Sequence, residues 1–344
     1  MRDEQELFEH FHIVVDKGQS PLRIDRFLTS KLEATSRNRI QLAAESGYIL
    51  VNGISVKNNY KVKPLDNIRI MLPFEKREFS LIAQDIPLDI VYEDQDILVV
   101  NKPAGLTVHP GHGNYTGTLL NGLAWHFGQR GTVNTDDSRM GVLVHRIDKD
   151  TSGLLVVARS ETAQFRLARQ FFDHTVERLY LALVWGDMEN EQGTVTGDIA
   201  RHPSDRLRFR VCPPGQEGKH AVTHYHVLER FGYVTLIECR LETGRTHQIR
   251  VHLEHIGHPL FGDVRYGGNC IRKGSCYSKY KQFVDNCLEI LPRQALHAKT
   301  LGFIHPVTDR KVHFEAPLPQ DFSDVLIKWR RYATSAQFSE DFSI

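Results

Sequence analysis

Asp148 is a carboxylate set between two cations, in the run His145-Arg146-Ile147-Asp148-Lys149-Asp150-Thr151-Ser152-Gly153-Leu154-Leu155. Beside Arg146 and Lys149 it stays ionised, as a nucleophile or base must. The run passes from charged residues directly into an apolar stretch, which places polar side chains at the end of a buried strand. The same spacing also suits a salt-bridged turn in which Thr151 and Ser152 satisfy backbone groups. A second concentration, Glu242-Thr243-Gly244-Arg245-Thr246-His247-Gln248-Ile249-Arg250-Val251-His252, gathers two arginines, threonine and two histidines behind a glycine turn. Such a cluster holds phosphates or a carboxylate, or else is a capped surface helix. A third segment, Asn101-Lys102-Pro103-Ala104-Gly105-Leu106, ends a strand in a rigid turn and alone says only loop.

Other chemistries find less support. Of the 18 histidines, His247, His252, His255 and His258 are close together, yet His252-Leu253-Glu254-His255 is not the zinc-binding H-E-x-x-H pattern. Cys270, Cys276 and Cys287 are poorly spaced for a zinc knuckle, and there is no Cys-x-x-Cys pair. No metal is expected. No glycine loop of the Walker or dinucleotide type occurs, so no cofactor is expected either.

The elements that must position these groups follow from local pattern. Ser20-Pro21 predicts a helix start, with Ile24, Phe27, Leu28 and Leu32 on one face. Ser36 predicts the cap of a second helix, with Ile40, Ala43 and Ala44 inward and Gly47 as its stop. Arg37 and Arg39 fall in its first turn, where the helix dipole disfavours cations unless an anion lies nearby. Tyr48 to Val51, the turn Asn52-Gly53 and Ile54 to Val56 predict a hairpin, and Ile68 to Leu72 a closing strand.

From Pro87 strands dominate: 90–92 with 97–100, then 153–158, 179–185, 221–228, 233–241 and 295–303. Ser160 predicts a helix carrying Phe165, Leu167 and Phe171; another follows His247, and a last one holds Val325, Leu326 and Trp329. Adjacent strands with few helices between them predict an α+β, mainly antiparallel sheet. Residues 268–290 read as a basic insertion.

Length and composition frame this. At 344 residues, 41% hydrophobic and 25% charged, the chain is an ordinary globular protein of two domains or so. No apolar run is long enough to span a membrane. The acidic start, without a signal-like apolar stretch, and five scattered cysteines predict a cytoplasmic protein. Net charge is only +1, but residues 12–75 hold ten Lys and Arg against six Asp and Glu. That local excess suits a face that grips a polyanion, and equally a solvated surface.

Taken together, the segments carry a resemblance. The helix–helix–hairpin stretch, with Ser36-Arg37-Asn38-Arg39-Ile40-Gln41, Val51-Asn52-Gly53 and Lys57, resembles the RNA-binding domain named after ribosomal protein S-four. Asn-Lys-Pro-Ala-Gly, His-Arg-Ile-Asp, a strand with Tyr180, Gly-Arg-Thr-His-Gln and Leu296-His297-Ala298, in that order, resemble the RluA-type pseudouridine synthases. An S-four-like domain ahead resembles their RluD-like branch.

The resemblance implies four segments: an S-four-like domain at 12–75, a linker at 76–85, a catalytic domain at 86–330 and a tail at 331–344. It implies isomerisation of uridine within RNA, most often large-subunit ribosomal RNA, with no cofactor and no obligate protein partner. It implies Asp148 as catalytic aspartate, Tyr180 against the base and Arg245 as the cation paired with Asp148. It also implies Arg146 in the gap left by an extruded nucleotide, Arg37, Arg39 and Lys57 on RNA, and His145, Lys102, Thr246 and His247 as supports. The family more often has Lys at the position of Arg178. Two rivals remain: an RNA-binding assembly factor with a vestigial pocket, and a hydrolase, which needs a second carboxylate or a metal.

Overall fold

The computed structural model describes residues 8–32, 37–72, 81–111, 114–129, 142–213, 216–275 and 277–340. Chain contacts divide it into two compact units, Met1–Ser80 and Leu81–Ile344.

The first unit runs β1 (Phe8–Val14), α1 (Ile24–Lys31), α2 (Arg37–Glu45), β2 (Ile49–Val51), β3 (Ile54–Ser55) and β4 (Asn67–Leu72). Its sheet order is β1-β4-β2-β3. Ile24, Phe27, Leu28, Ile40, Ala44, Ile49, Val51, Ile68 and Ile70 form its core, as the helical spacing predicts. Asn52 and Gly53 both take positive φ, 50° and 84°, the backbone a tight two-residue hairpin requires.

Two features differ from expectation. Helix α1 begins at Ile24 rather than Pro21, because Arg23 is first engaged in a β-bridge with Lys61. Strand β1 escapes the apolar pattern: as an edge strand pairing only β4, it exposes Phe11 and Val14. Ser36, the expected cap of α2, and residues 76–80 of the expected linker lie outside the described residues.

The second unit contains β5 (Ile90–Glu93), β6 (Ile97–Lys102), α3 (Leu119–Gln129), β7 (Val142–Leu143), β8 (Ser152–Ala158), α4 (Glu161–Phe172) and β9 (Glu177–Trp185). It continues with β10 (Gln192–Arg201), β11 (Phe209–Val211), β12 (Lys219–Arg230), β13 (Val234–Leu241), α5 (Gln248–His255), α6 (Ser278–Ile290), β14 (Leu296–Ile304), β15 (Lys311–Glu315) and α7 (Gln320–Glu340). One long sheet runs β11-β10-β12-β13-β9-β14-β8-β6-β5, with β15 on β14 and β7 on β8. All its pairings are antiparallel except β14 with β8. Ser160 caps α4, its hydroxyl accepting from Ala163 N.

One close approach fixes the centre of this sheet. At Gly153 (φ 110°) a Cβ would stand 2.2 Å from the Ala298 carbonyl oxygen, so β8 pairs with β14 only because that residue is glycine. Strand β8 is buried along its whole length, which is why it reads as a continuous apolar run.

Residues 268–290 are not simply an insertion. Their second half is α6, which buries Tyr280, Val284 and Cys287 against Phe322, Val325 and Trp329 of α7. Helix α7 itself runs past residue 330 to Glu340, through the boundary expected for a tail. Strands β10 and β11 were hidden by glycines, threonines and basic residues at the sheet edge. Among the described residues, no helix is long and apolar enough to cross a membrane.

Candidate active site

Asp148, Arg146, His145, Tyr180, Arg245 and His247 line one cavity of about 430 Å³, together with Arg178, Gly244, Gln248 and Arg250. That is ample for a nucleoside-sized ligand. The loop carrying Asp148 joins β7 to β8, and a turn closes with Thr151 N donating to the Asp148 carbonyl at 3.1 Å. Two buried cations hold this loop. Lys102 Nζ donates to the carbonyls of Pro103, Leu106 and Lys149, each at 2.8 Å. Burial pulls its pKa down to about 7, opposed by Asp150 and Asp148. Arg293 donates to the Asp150 carbonyl at 3.0 Å and is anchored on Asp321.

The cation on Asp148 is Arg250, not Arg245. Arg250 Nη1 donates to Asp148 Oδ2 at 2.9 Å, while its Nε and Nη2 grip Asp263 at 2.7 and 2.9 Å. Asp263 is fully buried and also accepts from the amides of Arg265 and Tyr266. Burial opposes the guanidinium charge, but the two carboxylates outweigh it and raise the pKa of Arg250. Arg245 instead donates from Nε to the His220 carbonyl at 2.9 Å, at the cavity rim. The difference is one of face. Arg250 lies in the first turn of α5 among Ile249, Val251 and Leu253, on the buried side, whereas Arg245 precedes the helix.

His247 approaches the same carboxylate, its Nε2 3.8 Å from Asp148 Oδ2. It sits in the left-handed region (φ 57°) at the start of α5, a strained placement for a side chain-bearing residue. Its Nδ1 lies 2.8 Å from Tyr266 Oη, and that oxygen accepts from Phe209 N. Burial lowers the pKa of His247 to about 4, so the ring is neutral at pH 7.

The remaining expected residues divide. His145 accepts from Val156 N at Nε2, and its ring stacks on Phe171 with centroids 4.4 Å apart. Burial pushes its pKa to about 3, making it a neutral structural ring. Tyr180, on β9, is buried in the core beneath the cavity, and burial raises its pKa. Arg146 is exposed at the rim. Thr246 lines a neighbouring groove with Arg201, Phe209 and Lys219.

In the other unit, Arg37 is bound to Asp25, with Nη2 to Oδ2 at 2.8 Å. Asp25 is thus the anion that a cation at the start of α2 requires, and Arg37 is not a free phosphate ligand. Lys57 is exposed, and the Arg39 side chain lies outside the described residues.

Sequence reasoning missed Arg250, Asp263, Tyr266 and Gln248. Gln248 satisfies all its groups: it accepts from Thr243 Oγ1 and Arg245 N, and donates to Val222 O and Thr223 Oγ1. It thereby ties the glycine turn to β12. Its place in Gly-Arg-Thr-His-Gln was the available signal.

Comparison with known proteins agrees with this architecture. The chain matches the RNA pseudouridylate synthase family over residues 96–255 and the S4 domain over residues 22–68. It is 46% identical over 325 residues to an uncharacterized RNA pseudouridine synthase of Chlorobaculum parvum, covering 94% of this chain and 98% of the relative. It is 44% identical over 322 residues to ribosomal large subunit pseudouridine synthase D of Nitrosomonas europaea, covering 94% and 88%. The solved structure of human RNA pseudouridylate synthase domain containing 4 matches with a TM-score of 0.53 at 25% identity, over 70% of this chain and 92% of that one. With relatives so similar over nearly its whole length, the chain belongs to the RNA pseudouridine synthases, in the branch that carries an S4 domain ahead of the synthase domain.

Proposed function

We propose that this enzyme isomerises uridines of large-subunit ribosomal RNA in the cytoplasm, with Asp148 as its catalytic carboxylate. One observation supports this above all. Asp148 lines the cavity with one oxygen on Arg250, and among the described residues Oδ1 accepts no hydrogen bond. The carboxylate is held, and one oxygen is left to react. The target uridine leaves the RNA stack so that its ribose reaches this oxygen, while Arg146 at the rim fills the gap and Tyr180 packs on the base.

Two routes are open to Asp148: bonding to the anomeric carbon, or taking the proton from the neighbouring ribose carbon. Either breaks the glycosidic bond; uracil then turns and bonds to C1′ through carbon five, as Asp148 leaves C1′ or the 2′ proton returns. The ring loses its carbon-five proton while N1 gains one, so that the product is an isomer. Because uracil leaves as a stabilised anion, one carboxylate suffices where glycoside hydrolases use two. Asp150 is a turn residue whose carbonyl is held by Arg293. Lys102, His145, His247 and Thr246 support the loop and the turn. Lys57, Arg39 and the first unit as a whole supply phosphate contacts. The test is a map of pseudouridines in ribosomal RNA from cells with and without this protein. Loss of large-subunit sites is expected; an unchanged map with altered transfer RNA would refute the ribosomal assignment.

A further inference from the structure

Among the described residues, Arg178 is a buried cation without a counter-ion. It stands on β9 two residues before Tyr180, and only 8% of it is exposed. Its Nε makes no hydrogen bond, and it has no ion pair, among the described residues. The other deep arginines of this unit are anchored, Arg250 on Asp263 and Asp148, Arg293 on Asp321. A charge taken out of water without a partner costs several kcal/mol, so its retention at a cavity wall points to a ligand that supplies the missing charge.

The surroundings are built around this head group. It lies over the ring of Phe171, 5.6 Å from the centroid, and Phe171 in turn stacks on His145. At Gly244 a Cβ would stand 2.9 Å from Arg178 Nη1, so the glycine leaves the guanidinium its room. Arg178 and Asp148 line the same cavity, and the charges of both act on the Tyr180 hydroxyl. The cavity is therefore polarised: a carboxylate for the ribose, a free cation for whatever becomes negative.

We infer that Arg178 is a catalytic residue that binds uracil through a ring oxygen and holds the negative charge the base acquires. The inference rests on the isomerisation proposed above. As the C1′–N1 bond of the extruded uridine breaks, its electron pair departs with N1 and spreads over O2 and O4. At the sugar, Asp148 either forms a bond to C1′ or takes the 2′ proton. The step needs no other reactant. Guanidinium donors preset at a ring oxygen strengthen as that charge develops, which lowers the barrier rather than merely tightening binding.

The test compares RNA carrying uridine with RNA carrying 5-fluorouridine at the target, under single-turnover conditions, with cleavage of the C1′–N1 bond as the readout. Fluorine stabilises the ring anion by itself, so its departure leans less on the protein. Arg178→Gln is expected to slow uridine cleavage by about 10²–10³-fold, to leave RNA affinity within a few-fold and to lose distinctly less on 5-fluorouridine. Arg178→Lys, which keeps a cation, is expected to recover most of the rate; if the Gln variant does not fold, the Lys variant's ratio between the two RNAs carries the test. Equal losses on both RNAs overturn the inference. So does a loss confined to affinity with a flatter salt dependence, which marks a phosphate contact instead. A wild-type enzyme that cleaves neither RNA refutes the proposed function itself, and is recognised by that.

Discussion

Both units contain an aspartate gripped by arginine, and the two differ in how completely the carboxylate is used. In the first unit, fully buried Asp25 accepts from Arg23, Arg37, Gln41 and the Arg26 amide, so both of its oxygens are occupied. In the second, Asp148 takes one hydrogen bond from Arg250, whose Nε and Nη2 are locked on Asp263. A saturated carboxylate welds α1 to α2; a carboxylate held on one side, whose other oxygen accepts no hydrogen bond among the described residues, is on the proposed function the one left to react. On that proposal, the number of donors, rather than the mere presence of an arginine, separates a structural pair from a reactive one.

Removing the charge from Asp148 gives the sharpest separation. Asp148→Asn is nearly isosteric, and turnover is expected to fall by about 10⁴-fold or more while RNA affinity stays within a few-fold. An Asn variant with ordinary single-turnover rates would erase the distinction between the two aspartates. Next is the clamp. Arg250→Lys keeps a charge but cannot bridge two carboxylates at once, and a misplaced Asp148 is expected to cost about 10²-fold in rate. Arg245→Met, changed at the rim, is expected to cost a few-fold, mostly in affinity. If the two variants trade places, Arg250 is not what positions Asp148.

The structural pair responds through stability instead. Asp25→Asn is expected to destabilise the first unit by about 1–3 kcal/mol at pH 7, read by hydrogen exchange of α1 and α2 amides, with the rate at saturating RNA unchanged. Burial alone would raise the pKa of Asp25, but Arg37, Arg23 and Gln41 outweigh it and hold the group well below its ordinary value of 3.8. With the folded pKa depressed, the stabilisation is complete above pH 3.8 and is lost as pH falls toward the folded value. The difference between variant and parent must therefore shrink below pH 3.8; a difference that grows there contradicts the saturated pair. The smallest effect belongs to exposed Lys57. Lys57→Ala is expected to reduce the salt slope of RNA binding by about one contact with no change in melting, whereas Arg37→Ala is expected to lower the first unit's stability.

What was legible in the sequence follows the same physics. Strands β6, β8 and β9 were readable because burial on both faces makes them nearly continuous apolar runs, and Ser160 announced α4 because a side-chain cap is local. The start of α1 was misplaced because a bridge to Lys61, distant in sequence, claims Arg23 first. Arg250 was passed over for Arg245 because both stand in one basic motif, and only the helix face tells which one turns inward. Nothing local marks Asp263 as the anchor of Arg250, since the two meet through the fold, 13 residues apart. Arg178 stands where the family more often has Lys, but its lack of a partner among the described residues exists only in three dimensions.

Lys102 has one more consequence. When protonated, its ammonium supplies three N–H donors to the carbonyls of Pro103, Leu106 and, in the Asp148 loop itself, Lys149, a role that proteins elsewhere give to a bound monovalent ion. Because this ion is tethered by its own side chain, no chelator removes it, and its occupancy is indifferent to the concentration of sodium or potassium. RNA gripped through phosphates is released by salt, yet the loop beneath it keeps its shape. Concentrated salt used to strip nucleic acid from the enzyme should therefore return it with its reactive loop already assembled.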